Sequence, residues 1–187
     1  MRALVILYCY PPLLVPAAIC YAKLMTGLAG AGVELELWEG IGGLPVYDQD
    51  LEAREAPASV DRLRAGWAAT DAILFATPEF NGSVPGGLKN AIDWASRPAT
   101  EAALTGKTVA VVGASTGQFG ALWAQTDLKK ILGAAGARVV GTEIPVARAH
   151  ERFDAAGRLL DAEVREQLRL HLETLAAAAV PSVQLAA

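Results

Sequence analysis

The sequence predicts an α/β fold, a parallel five-stranded sheet with helices on both faces. Three observations carry that expectation. Short apolar runs alternate with helix-length segments along the whole 187-residue chain. Two of the runs, Ala72–Thr77 (AILFAT) and Lys107–Gly113 (KTVAVVG), are nearly continuous in apolar residues, the pattern of strands covered on both faces. Hydrophobic residues make up 53% of the chain and charged residues 19%, enough apolar surface to build a core and to exclude a disordered chain.

The first element lies in an unusual stretch. Ala3–Ala22 holds no charged residue and no Ser, Thr, Asn, Gln or Gly, so its length alone fits a membrane span. Pro11, Pro12 and Pro16 break a continuous helix there, because proline lacks the N–H and clashes with the preceding turn. The run therefore divides into a strand at Ala3–Tyr8, a loop at Cys9–Val15 and a helix opening on Pro16 that closes before Gly30. Val33–Trp38 alternates apolar and acidic residues, as an edge strand does. A Gly- and Pro-rich loop covers Gly40–Asp50, and a helix runs from Pro57 to Trp67. After the strand Ala72–Thr77 come a short helix at Gly86–Ser96, the strand Lys107–Gly113 and a helix from Phe119 to Ala135. Arg138–Ile144 is the last strand. A helix over Asp161–Ala179, with Val164, Leu168, Leu172 and Leu175 on one face, ends the chain's regular structure.

Alternation of this kind builds right-handed crossovers. Five strands fit the flavodoxin-like order 2-1-3-4-5, in a single domain spanning residues 1–187. Ligands of such sheets sit beyond the carboxyl ends of the strands, which singles out the loops Cys9–Val15, Thr77–Pro85 and Gly113–Gly120. The net charge of −4 argues against a nucleic-acid partner. Two cysteines and two histidines are too few for a disulfide framework or a metal cluster, so no metal is expected. A cytoplasmic protein without a membrane partner is the expectation.

The loop after the third strand holds most of the chemistry. Thr77–Pro98 (TPEFNGSVPGGLKNAIDWASRP) packs prolines, glycines and an aromatic into a strand-to-helix turn. Such a backbone lets a flat ligand approach main-chain N–H groups closely, with Phe80 against a ring and Asn81 on its heteroatoms. This segment closely resembles the signature of the NADPH-dependent FMN reductase family, which includes quinone, chromate and azo-dye reductases. Weaker similarity extends through Leu44–Leu51 and Gly113–Gly120.

The resemblance implies a flavodoxin-like fold and FMN as cofactor. It implies NADPH or NADH as electron donor, and a small-molecule acceptor such as a quinone, a dye or a metal oxyanion. By the same resemblance Pro78, Glu79, Phe80 and Asn81 contact the flavin ring, with Phe80 standing where the family usually has Tyr. Ser115, Thr116 and Gly117 line the pyrimidine edge, where amides and hydroxyls stabilise the charge that gathers on reduction. The flavin carries the chemistry, so no catalytic side chain is expected. Homodimers or homotetramers are expected, since the family forms them.

The first loop departs from the family pattern. Relatives carry a Gly-Ser-Leu-Arg type of loop for the FMN phosphate, whereas this chain has Tyr8–Pro16 with three prolines and no cation between Arg2 and Lys23. One alternative is therefore a flavodoxin-like protein that has lost FMN binding and serves as a scaffold or apolar-ligand binder. A further alternative rests on Gly113–Gly117, which fits the G-x-S-x-G nucleophile elbow. A Ser115-dependent hydrolase would need His150, with Asp154 or Asp161 to orient it, because His171 falls on the terminal amphipathic helix in a solvated or half-buried place.

Overall fold

The computed structural model describes residues 2–7, 34–38, 40–154 and 159–179. Strands β1 (Arg2–Leu7), β2 (Glu34–Trp38), β3 (Ala72–Thr77), β4 (Thr108–Ala114), β5 (Arg138–Val139) and β6 (Pro145–Val146) form one sheet. The order is β2-β1-β3-β4-β5, with β6 also on β4, and every ladder is parallel. The helices are α1 (Gln49–Arg54), α2 (Ala58–Ala68), α3 (Gly86–Ala95), α4 (Leu122–Ala134), α5 (Ala149–Arg152) and α6 (Ala162–Ala179). The flavodoxin-like order expected from the sequence is the order found.

Side-chain alternation along β3 and β4 splits the core in two. Ile73, Phe75, Val109 and Val111 face Leu63 and Trp67 of α2, Leu88 and Trp94 of α3, and Leu128 of α4. The opposite face is lined by Ala72, Leu74, Ala76, Ala110, Val112 and Ala114, smaller residues against which Leu168, Leu172 and Leu175 of α6 pack. Trp67 meets Phe75 edge to face at 5.4 Å, so the bulky half of the core is also its aromatic half.

Four details differ from the sequence reading. The last strand is interrupted: β4 pairs with β5 at Thr108 and Val109 and with β6 at Gly113 and Ala114. Between the two pieces Gly141 turns with φ 77°, and the Ile144 amide donates to the Gln125 side chain at 2.8 Å in place of a strand neighbour. Helix α4 starts at Leu122 rather than Phe119, because Gly120 and Ala121 are left-handed with φ 56° and 62°. The Gly40–Asp50 loop contains a 3-10 turn at Ile41–Gly43 and the start of α1, whose first amides, Asp50 and Leu51, are capped by the Asp48 carboxylate. His171 is buried, at 5% exposure, rather than lying on the surface of α6.

Of the apolar run Ala3–Ala22, β1 accounts for the first residues. The Cys9–Val15 loop and the helix opening on Pro16 lie outside the described residues. No helix among the described residues is long and apolar enough to cross a membrane.

Candidate functional site

The carboxyl ends of β3 and β4 lie side by side, with Thr77 in register with Gly113, so the loops that follow them are neighbours. The loop after β3 is a closed structure. Phe80 and Ser83 exchange both backbone hydrogen bonds, at 3.0 and 3.1 Å, across Asn81 and Gly82. Both central residues have positive φ, 52° and 75°, as a type I′ hairpin requires. The Asn-Gly dipeptide is the sequence signal for this turn. It leaves the Asn81 side chain exposed at the tip.

Two contacts fasten this hairpin to α4. Ser83 donates to the Asp127 carboxylate at 2.6 Å. The Glu79 carboxylate accepts from the Trp123 and Ala124 amides at 3.1 and 3.2 Å. Helix α4 begins on Ala121, which has no side chain to cap it, and Glu79 fills that role from across the cleft. The sequence reading gave Glu79 to the ring by resemblance and gave Asp127 no role.

The loop after β4 is open where the other is closed. The Ser115 amide donates to Val146 O at 3.2 Å, and the Ser115 and Gly117 carbonyls accept from Ala149 and Arg148 at 2.9 and 3.0 Å. These bonds anchor the back of the loop to β6 and α5. Among the described residues, the amides of Thr116, Gly117, Gln118 and Phe119 have no acceptor, and Thr116–Phe119 are exposed. Exposed amides and the Ser115 and Thr116 hydroxyls form a donor set suited to the carbonyl-rich edge of a flavin. The residues therefore fit the group that the resemblance implies. Pro78 and Glu79 are half-buried and Phe80 is 48% exposed, so an aromatic side chain stands exposed on the loop that adjoins the row of donors.

Gln125, fully buried, sets the back of the site. Its Nε2 donates to the Gly120 and Ala121 carbonyls at 3.3 and 3.4 Å, and its Oε1 accepts from Ile144. A Cβ on Gly113 would stand 2.8 Å from it, which explains glycine at the end of a buried strand. A Cβ on Gly120 would stand 2.6 Å from the backbone of Pro145, Val146 and Ala147.

The rest of the signature is structural. Asn90 and Trp94 donate to Pro45 O at 2.8 and 2.9 Å, and the Tyr47 amide donates to Asn90 Oδ1 at 2.7 Å. Tyr47 meets the Trp94 ring edge to face at 4.9 Å and donates to Glu52, an arrangement that raises its phenol pKa. The two stretches of resemblance, Leu44–Leu51 and Thr77–Pro98, thus pack on each other.

The residues of the hydrolase alternative carry other contacts or another backbone shape. Ser115 precedes α4 by a seven-residue step and has no positive φ, so it is not on the sharp strand-to-helix elbow that exposes a nucleophile. His150, on the exposed turn α5, lies 3.4 Å from Glu151. Asp161 caps α6 and pairs with Arg152, and the Val164 amide first, then Arg152 and the Glu163 amide, hold its carboxyl below the usual range against the opposing effect of burial.

Comparisons with known proteins agree with this geometry. Residues 19–151 match the NADPH-dependent FMN reductase family. An NAD(P)H-dependent FMN reductase of Pseudomonas aeruginosa is 44% identical over 150 residues, 80% of each chain. A 2-hydroxy-1,4-benzoquinone reductase of a Burkholderia species is 35% identical over 138 residues, 73% of this chain and 75% of the relative. Among solved structures, the flavoenzyme NAD(P)H:(acceptor) oxidoreductase FerB of Paracoccus denitrificans superposes with a TM-score of 0.78 at 34% identity, covering 95% of this chain and 96% of that one. The chain belongs to the NADPH-dependent FMN reductase family.

Proposed function

We propose that this flavin-dependent oxidoreductase holds FMN between the loops after β3 and β4, with NAD(P)H as donor and a quinone as the principal acceptor. The observation that carries the assignment of the site is the contrast between a hairpin with its bonds closed and an adjoining row of amides at Thr116–Phe119 that have no acceptor among the described residues. FMN, when bound, supplies the two-electron chemistry that links the nicotinamide to the acceptor. The chain's own residues bind and orient. Pro78, Phe80 and the Asn81 side chain face the ring system. Ser115, Thr116 and Gly117 present hydroxyl and amide donors to its pyrimidine edge, a preorganised positive field where negative charge develops. Glu79 acts from behind, through the first turn of α4.

The names of the relatives support a quinone acceptor, and dyes or metal oxyanions are further acceptors of the same reading. We also read the chain as a single domain that works in the cytoplasm and associates into homodimers or homotetramers; sedimentation of the purified protein checks the last point. The decisive experiment is a titration with FMN followed by NAD(P)H and a benzoquinone. Saturable flavin binding and quinone-dependent NAD(P)H oxidation are expected, both weakened in Asn81→Ala and in Thr116→Pro. A colourless protein that binds no FMN at saturating concentration overturns the reading and leaves the scaffold alternative.

A further inference from the structure

Gln125 sits on the first turn of α4 with no exposed surface, an uncommon place for a side chain with two N–H donors and an acceptor oxygen. Both ends of its amide are paired. Nε2 donates to the Gly120 and Ala121 carbonyls at 3.3 and 3.4 Å, and Oε1 accepts from the Ile144 amide at 2.8 Å. Its stem crosses the end of β4, where a Cβ on Gly113 would stand 2.8 Å from Cγ and from Nε2. One buried side chain therefore reaches Gly113 just before the open loop, Gly120 and Ala121 at its close, and the segment behind it that enters β6.

These points are places where the backbone lacks a regular partner. Gly120 and Ala121 are both left-handed, φ 56° and 62°, and Ala121 carries a Cβ that opposes this conformation. Such a shape persists only where its surroundings over-determine it, and the bonds from Gln125 to both carbonyls help to do so. Ile144 enters β6, whose Val146 carbonyl accepts from the Ser115 amide at 3.2 Å. The donor row at Thr116–Phe119 is thus a four-residue span between two ends that Gln125 ties together.

We propose that Gln125 is a positioning residue of the flavin site: it sets the path of the loop after β4 and thereby the placing of that loop's donors at the pyrimidine edge. The assignment rests on the flavin site proposed above and deepens it. Donors at that edge act most strongly once negative charge gathers there on reduction. A loop that shifts away therefore weakens the reduced flavin more than the oxidised one.

The test compares wild type with Gln125→Met, which keeps the bulk without the amide, and Gln125→Glu. Leu168→Ala serves as a destabilised control, since it opens a cavity on the opposite face of the sheet. Three quantities are read on folded protein: the FMN Kd, the midpoint potential of bound FMN, and amide exchange of the flavin-free chain. Gln125→Met is expected to raise the FMN Kd about tenfold, the range of one or two hydrogen bonds. Reduced FMN should lose roughly tenfold more than oxidised, a potential about 30 mV more negative for a two-electron couple. Without flavin, the Ser115, Arg148 and Ala149 amides that anchor the loop should exchange faster, beyond any change at the β3 and β4 amides that report global stability. Leu168→Ala should alter neither Kd nor potential.

Gln125→Glu adds a pH signature. A buried carboxyl facing two carbonyl oxygens is driven toward its neutral form, which donates to one of them and accepts from Ile144. Its FMN Kd relative to wild type should therefore approach one as pH falls and grow as pH rises. Wild-type Kd and potential in Gln125→Met overturn the proposal, and so does an equal loss in Leu168→Ala. If Gln125→Met does not fold, a pH-independent ratio in Gln125→Glu overturns it. Failure of the wild-type chain to bind FMN overturns the flavin reading alone, because exchange in the flavin-free chain still decides whether Gln125 holds the loop.

Discussion

The loops after β3 and β4 leave neighbouring strands at the same end of the sheet, yet they are built on opposite plans. The first closes on itself: its amides and carbonyls pair across a type I′ turn, and its side chains fasten to α4. Among the described residues, the second is secured by β6 and α5, and four consecutive amides in its exposed stretch Thr116–Phe119 have no acceptor. An unpaired amide is tolerable where water or a ligand satisfies it and costly where neither does. The closed loop is therefore a fixed wall, and the open loop is where binding energy is available. Under the proposed site, a family signature concentrated in the first loop reports mainly how the site is held, and the donors come from a stretch with a weaker signature.

That contrast can be broken most severely from behind the open loop. Gly120→Ala places a Cβ 2.6 Å from three backbone atoms at a residue with φ 56°, and backbone does not yield as a flexible side chain would. We expect a loss of about 3 kcal/mol or more in a denaturant titration, together with loss of FMN binding. Gln125→Ala leaves the buried Ile144 amide without its acceptor and opens a cavity against Gly113, for an expected loss of about 2 kcal/mol. A variant as stable as the wild type would show that α4 does not hold the loop in place.

The closed loop should respond less. Gly82→Ala puts a side chain at φ 75° with open space around it, so the strain is local and about 1 kcal/mol. FMN affinity should fall by less than in Thr116→Pro, which removes a donor from the open loop; the reverse ranking would invert the comparison.

The smallest effect expected is a pH dependence. Burial lowers the pKa of His171, with Lys129 acting in the same direction and a Val111 backbone hydrogen bond and Glu143 opposing it. The ring packs on Gly141, where a Cβ would stand 2.4 Å away, and Nε2 is buried without a partner. A depressed folded pKa means that the unfolded chain takes up the proton first. Stability is therefore full above the unfolded value of about 6.5 and falls as pH drops from there toward the folded value. Urea midpoints between pH 7.5 and 5.5 should decline in the wild type and flatten in His171→Gln.

Much of the fold was legible in the sequence, because buried parallel strands announce themselves as apolar runs. Ala72–Thr77 matches β3 residue for residue, and the strand order followed from the alternation. The broken last strand was not legible, because Arg138–Ile144 reads as one extended run and the Gln125 side chain that replaces a strand neighbour lies on another element. The site was legible where composition constrains the backbone, as at Asn81–Gly82. It was hidden where a role depends on distance in sequence: Glu79 caps a helix 44 residues later, a relation that only the folded chain creates. The Tyr8–Pro16 segment, where the family pattern is lost, lies outside the described residues.

The central claim is that FMN takes its donors from the open loop. Amide hydrogen exchange with and without saturating FMN tests it most directly. Exchange at Thr116, Gly117, Gln118 and Phe119 should slow markedly when the flavin is added, while the Phe80 and Ser83 amides, already bonded to each other, should change little. Bound flavin with no added protection anywhere in residues 115–120 would contradict the account.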